Sequence, residues 1–250
     1  MSRSSLCRAA FAAAVLSFAA CTQPRSLATL ADVGAAAERG DTHAQDSLGR
    51  MYLHGVGVPQ NDTIALSWFR KGAAQGDAAS ETNLGFMYGG GRGVTRNDAV
   101  AVEWYRKAAA QGMASAQYNL GVMYNQGRGV AQNDSIAVTW FRKAADHGDV
   151  DAQFNLGVLY DHGTGVPHDA AMAVAWYLKA ATQGSVDARL NLGVSYATGD
   201  GVPEDHVAAY MWFSLADKST QRDRIAKSMT PEQIAKAEQM TKEWLAAHQQ

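Results

Sequence analysis

Residues 116–148 read A-Q-Y-N-L-G-V-M-Y-N-Q-G-R-G-V-A-Q-N-D-S-I-A-V-T-W-F-R-K-A-A-D-H-G, and the landmarks of this stretch return every 36 positions. Trp140 has counterparts at Trp68, Trp104, Trp176 and Trp212. Leu120-Gly121 returns as Leu48-Gly49, Leu84-Gly85, Leu156-Gly157 and Leu192-Gly193, and Tyr124 as Tyr52, Tyr88, Tyr160 and Tyr196. Gly129-Val130 returns as Gly57-Val58, Gly93-Val94, Gly165-Val166 and Gly201-Val202. No insertion breaks the period from Gly40 to Trp212. Self-similarity at such a period marks stacked repeats, each one supersecondary unit.

Each unit reads as two helices around a glycine-rich loop. In the second unit Leu84 and Tyr88 stand four apart, on one face of a helix. Gly89 to Val94 then needs unusual backbone angles. The second helix opens on Asn61, Asn97, Asn133, Asp169 or Asp205, whose side-chain oxygens suit an N-cap. Its stop is marked by Gly40, Gly76, Gly112, Gly148 and Gly184, which fit the C′ position. The mid-helix glycines (Gly49, Gly85, Gly121, Gly157, Gly193) are costly, at about 1 kcal/mol each relative to Ala. They imply a neighbouring ring or backbone that leaves no room for a Cβ, while rings such as Trp104 fill the space between helices and adjacent units.

A helix pair of this size cannot bury its apolar face alone, whereas stacking makes a continuous core. The expected fold is therefore all-α: an α/α solenoid of five 36-residue helix–loop–helix units over residues 41–220. Residues 28–40 align with a second helix, with Asp32 where Trp68 would stand, and read as an N-terminal half-repeat cap. At the other end Thr230-Pro231-Glu232-Gln233 opens a helix within residues 221–250, whose stripe of Ile234, Ala237, Met240, Trp244 and Leu245 caps the last unit.

The quoted unit closely resembles the Sel-one-like repeat, a relative of the tetratricopeptide repeat with a longer interhelix loop. Leu-Gly, Tyr, Gly-x-Gly-Val and Trp fall in that register in all five units. The resemblance implies a right-handed α/α superhelix that binds proteins or peptides in or around its groove. Secreted bacterial members commonly act as envelope adaptors or regulators.

The N-terminus reads as an address. Arg3 and Arg8 precede Ala9–Ala20, an apolar run too short for a membrane span, and residues 1–20 fit a signal peptide. Phe18-Ala19-Ala20-Cys21 resembles a bacterial lipobox, with Phe18 in place of the usual Leu. Cys21 is thus the expected lipidation site, with residues 21–27 as a tether. The expected location is periplasmic, on the outer membrane, with the lipid as the membrane contact.

Composition excludes other classes. With 22 basic and 24 acidic residues the chain has no basic excess for nucleic acid, and its 47% hydrophobic content does not suit disorder. The two cysteines, Cys7 and Cys21, rule out a disulfide framework. The loop Gly-x-Gly has no strand before it, so a dinucleotide site fails on context; no P-loop and no H-E-x-x-H occur. His162 and His168, with Asp161 and Asp169, border one loop but match no ligand spacing, and Asp169 serves as a cap. Neither catalytic residues, nor a metal, nor a cofactor is expected. A cysteine-rich branch of the family is assigned penicillin binding and β-lactamase activity. Here the repeats hold no Cys pair and no Ser has a Lys three residues on, which disfavours that chemistry.

The expected function is a protein- or peptide-binding adaptor, with a purely structural spacer as the alternative. Candidate groove residues come from the first helices. One slot holds Asn83, Asn119, Asn155 and Asn191, whose amides could read a peptide backbone or bond within the stack. The slot with Phe86 is otherwise Arg50, Val122, Val158 and Val194, and the slot with Asn125 varies from unit to unit.

Overall fold

The computed structural model describes residues 29–248; the expected signal peptide, Cys21 and its tether lie outside the described residues. The described residues form thirteen α-helices without strands. After α1 (Leu30–Glu38) come five pairs: α2 (Thr42–His54) with α3 (Asp62–Ala74), α4 (Ala78–Gly90) with α5 (Asp98–Ala110), and α6 (Ala114–Gln126) with α7 (Asp134–Asp146). α8 (Val150–His162) with α9 (Ala170–Thr182) and α10 (Val186–Thr198) with α11 (His206–Leu215) follow, then α12 (Ser219–Ala226) and α13 (Pro231–Ala247). Helices adjacent in sequence pack on one another along the stack, and α13 folds back onto α11.

The signals that delimit each helix act as their chemistry dictates. The side chains of Asn61, Asn97, Asn133, Asp169 and Asp205 each accept a backbone N–H in the first turn of α3, α5, α7, α9 and α11. After α3, Gly76 takes φ +80°. Its N–H donates to the Ala73 carbonyl and that of Asp77 to Gly72, the two bonds of a Schellman motif. The last unit departs from this: α11 is shorter, and Asp217, at φ +54°, takes the left-handed turn before the period would place a glycine.

The mid-helix glycines each face an aromatic ring. A Cβ on Gly121 would lie 2.7 Å from the Phe141 ring, and one on Gly157 2.4 Å from Tyr177. Phe69, Tyr105 and Phe213 stand the same way against Gly49, Gly85 and Gly193. The ring is the residue after the Trp, not the Trp itself. The tryptophans instead join clusters shared by two units: Trp104 packs against one that holds Leu66 and Phe69 with Leu84 and Met87, and Trp140 against one that holds Val102 and Tyr105 with Leu120 and Met123. Lys71, Lys107, Lys143 and Lys179 lie over the rings of Trp68, Trp104, Trp140 and Trp176 at 3.7–4.3 Å, one helical turn along.

Polar links hold adjacent units in register. Arg92 grips Asp62 with two nitrogens (3.0 and 2.7 Å) and reaches the Leu53 carbonyl at 3.2 Å. Arg128 reaches the equivalent pair, Asp98 (2.8 Å) and the Gly89 carbonyl (3.2 Å), through one terminal nitrogen. A second row lies within the repeats and ties the end of each second helix back to the first helix of the same unit: Gln75 donates to Gln45 (2.9 Å), Gln111 to Glu81 (2.8 Å) and Gln183 to Gln153 (2.8 Å). At the third step His147 replaces the donor and turns to its own helix, leaving the buried Oε1 of Gln117 without a partner. Burial pushes the Glu81 carboxyl up from its ordinary range, with the Gln111 bond opposing it.

At the C-terminal end α13 closes the stack. Trp244 meets Trp212 edge-on (centroids 5.9 Å apart) and lies under the Arg189 guanidinium at 4.6 Å. Ala237 is fully buried against Val207 and Tyr210.

Candidate functional site

The first helices α2, α4, α6, α8 and α10 carry the variable positions. Phe86 is 45% exposed on α4; its slot holds half-buried valines at Val122 and Val158 and an exposed one at Val194, 47%. Phe86, Gly89, Asn119, Val122 and Arg128 share a hollow of about 200 Å³ between α4 and α6, floored by Tyr105. Burial pushes the Tyr105 phenol up to about 12, so it stays protonated at neutral pH.

The same slot borders two more hollows. One of about 220 Å³ at the N-terminal end lies among Ser47, Arg50, Met51, His54 and Val56. One of about 440 Å³ at the other end includes Val194, Thr198, His206, Phe213 and Arg224. The row therefore presents cations and apolar side chains along successive first helices.

The asparagine slot is more committed to the scaffold than the groove. Asn83 donates to Asp46 of the preceding unit at 2.7 Å. Burial holds the Asp46 carboxyl above its ordinary range, with the Asn83 bond opposing it. The amides of Asn119 and Asn155 donate to carbonyls of their own helices, Ser115 and Asp151, at 2.8 Å. Asn125 turns to Asp134 at the start of α7, at 3.0 Å. Of the six candidate groove residues, Phe86 and Asn119 are brought together in one hollow. Asn83, Asn125, Asn155 and Asn191 are not among its walls.

Arg128 and Arg50 were not singled out from the sequence. Their signal was present, since Arg50 sits in the slot of Phe86. One further arrangement resembles a catalytic relay: Ser228 Oγ lies 3.0 Å from His206 Nδ1, whose Nε2 is 3.0 Å from Glu204. Its hydroxyl also donates to the Ile225 carbonyl, and the backbone N–H groups of Ser228 and Met229 are bonded to Ile225 and Ala226. Those amides are therefore not free to stabilise an oxyanion, the step such a relay serves.

The Sel1 repeat family model matches residues 42–77, 78–113, 114–149, 150–185 and 186–216, the same five units with the same breaks between helix pairs. The chain belongs to the Sel1 repeat family. Its fifth Sel1 unit ends at 216 by that match, where Asp217 makes the early turn, rather than at 220. No curated protein matches the chain. Among solved structures, a Sel1 repeat protein from Oxalobacter formigenes is 34% identical over 89% of this chain and 88% of its own, with a TM-score of 0.68. A putative Sel1 repeat protein from Klebsiella pneumoniae (23% identity, 78% of this chain and 97% of that one, TM-score 0.52) shares the fold. So does an immunity protein from Pseudomonas aeruginosa (21% identity, 77% and 73%, TM-score 0.52). Sel1 repeats are a scaffold typical of protein–protein interaction.

Proposed function

We propose that this Sel1 protein is an adaptor of the bacterial cell envelope, anchored through Cys21 and binding a protein or peptide partner in the groove lined by its first helices. The observation that carries the reading is Phe86: a 45%-exposed ring in a slot held elsewhere by Arg50 and three valines, at the mouth of a hollow with Asn119 and Arg128. An apolar anchor beside a guanidinium suits a segment with one buried side chain and a carboxylate or carbonyl near it. A pure spacer would have no use for that exposed ring.

The test pairs binding with stability. A partner recovered from envelope extract with the wild-type chain is titrated against Phe86→Ala/Asn119→Ala. Affinity is expected to fall about tenfold or more, the loss of roughly 1.4 kcal/mol or more, while the melting temperature stays put. Unchanged affinity would remove this hollow from the interface. Fractionation tests the address: wild type is expected with membranes and Cys21→Ala is not.

A further inference from the structure

The last interface between repeats reverses the electrostatics of the first two. Arg92 and Arg128 each insert a guanidinium between their loop and the unit before. Each reaches a carbonyl 39 residues upstream and an aspartate 30 residues upstream. In the fifth unit the equivalent residue is Asp200. The aspartate that the arginine would pair with is Ala170, and the residue 39 upstream is Asp161. A carboxylate thus stands beside a carboxylate where sister interfaces have a cation.

A third ligand type completes the group. One oxygen of Asp161, one ring nitrogen of His168 and one oxygen of Asp200 all lie within 4.8 Å of one another. They come from the last turn of α8, the 163–169 loop and the 199–205 loop, hence from two different units. Nearby acids deepen the negative field: Glu204 and Asp205 share the loop of Asp200, and Asp169 follows His168. All three are already engaged, Asp169 capping α9, Asp205 capping α11 and Glu204 paired with His206.

We propose that Asp161, His168 and Asp200 bind a divalent transition-metal cation that ties the fourth Sel1 unit to the fifth. The ion does there what the guanidinium does at the earlier interfaces. A donor set of one imidazole nitrogen and two carboxylate oxygens favours zinc over calcium, which prefers an all-oxygen shell. Three protein ligands with a water in the fourth position is an ordinary zinc arrangement. Bonds of about 2.0–2.2 Å put ligand atoms roughly 3.4 Å apart, so rotation of Asp200 and His168, both exposed, must draw the three together. The proposal does not depend on what the groove binds.

Zinc chloride titrated into the metal-free chain, followed by calorimetry and by thermal melts with and without chelator, tests it. Wild type is expected to bind one zinc and to melt higher when loaded. His168→Ala and Asp200→Ala, both at exposed positions, should keep the apo melting temperature, weaken binding at least about tenfold and lose the metal-dependent rise. His162→Ala, which removes a histidine outside the trio, should keep both. Asp200→Arg should abolish the zinc response as well. No binding by wild type, or equal binding by wild type, His168→Ala and Asp200→Ala, overturns the proposal.

Discussion

Within a repeat, the seam between its two helices is built the same way five times; between repeats, the polar contacts change at nearly every step. The seam puts a glycine under a Phe or Tyr ring, and a Cβ would come within 2.4–2.7 Å of that ring in every unit. Steric exclusion tolerates no substitute there. The junctions between units use Arg–Asp grips at the first two steps, a Ser135 bond to the Gly165 carbonyl at the third, and acids with a histidine at the fourth. Net hydrogen bonds are worth only about 0.5–1.5 kcal/mol, so the junctions can be exchanged without loss of the fold. Shape is fixed by the seam, and individuality by the junctions.

The sharpest break of this contrast is Phe141→Ala. Its ring is 2% exposed and covers Gly121, so its loss should cost about 3–5 kcal/mol in a chemical or thermal melt. A loss below about 1 kcal/mol would show the seam to be looser than its geometry. A smaller effect is expected at Gly72, which stands against Ser80, whereas the sister units pair Ala with Ala (Ala108 and Ala116, Ala144 and Ala152). Gly72→Ala alone would place its Cβ 2.2 Å from Ser80 Oγ, a hydroxyl that is buried without a partner. The single variant should be destabilised by about 1–3 kcal/mol. Adding Ser80→Ala should reverse that loss and go beyond wild type, because the helix gains about 1 kcal/mol from losing a glycine. Additive behaviour in that cycle would mean the two positions do not touch. The smallest effect stays within a repeat, where a polar bond rather than a ring joins the two helices. His147→Gln should restore the missing bond to Gln117 and raise stability by about 0.5–1.5 kcal/mol. The corresponding gain in melting temperature is a few degrees, about 2–4 °C per kcal/mol for a chain of this size.

Much of the architecture could be read in advance because its signals are local. An Asn or Asp that caps, a Gly that takes positive φ and a Gly that yields to a ring each act within a turn or a unit, and the period multiplies them. The identity of the ring was not legible: Trp and its successor are adjacent, and both point inward, one into its own unit and one into a cluster shared with the unit before. Helix α12 gave no signal, since STQRDRIA has no apolar stripe and none of its residues is buried. The groove was half legible. Phe86 declared itself by departing from its slot, but an amide looks the same whether it faces a ligand or, like Asn83, a neighbouring aspartate. The Asp161–His168–Asp200 group was hidden because Asp200 comes from the next unit, outside the loop whose spacing was inspected.

The junction bonds between repeats join residues only 30 to 39 positions apart. A newly synthesised unit therefore finds its partners in the segment made just before it, without waiting for the far end of the chain. Assembly can advance in the order of synthesis, and each junction is complete once the next helix pair has emerged. Only the closing helix reaches farther, from Trp244 back to Arg189. That makes it the last of the described helices to find its place.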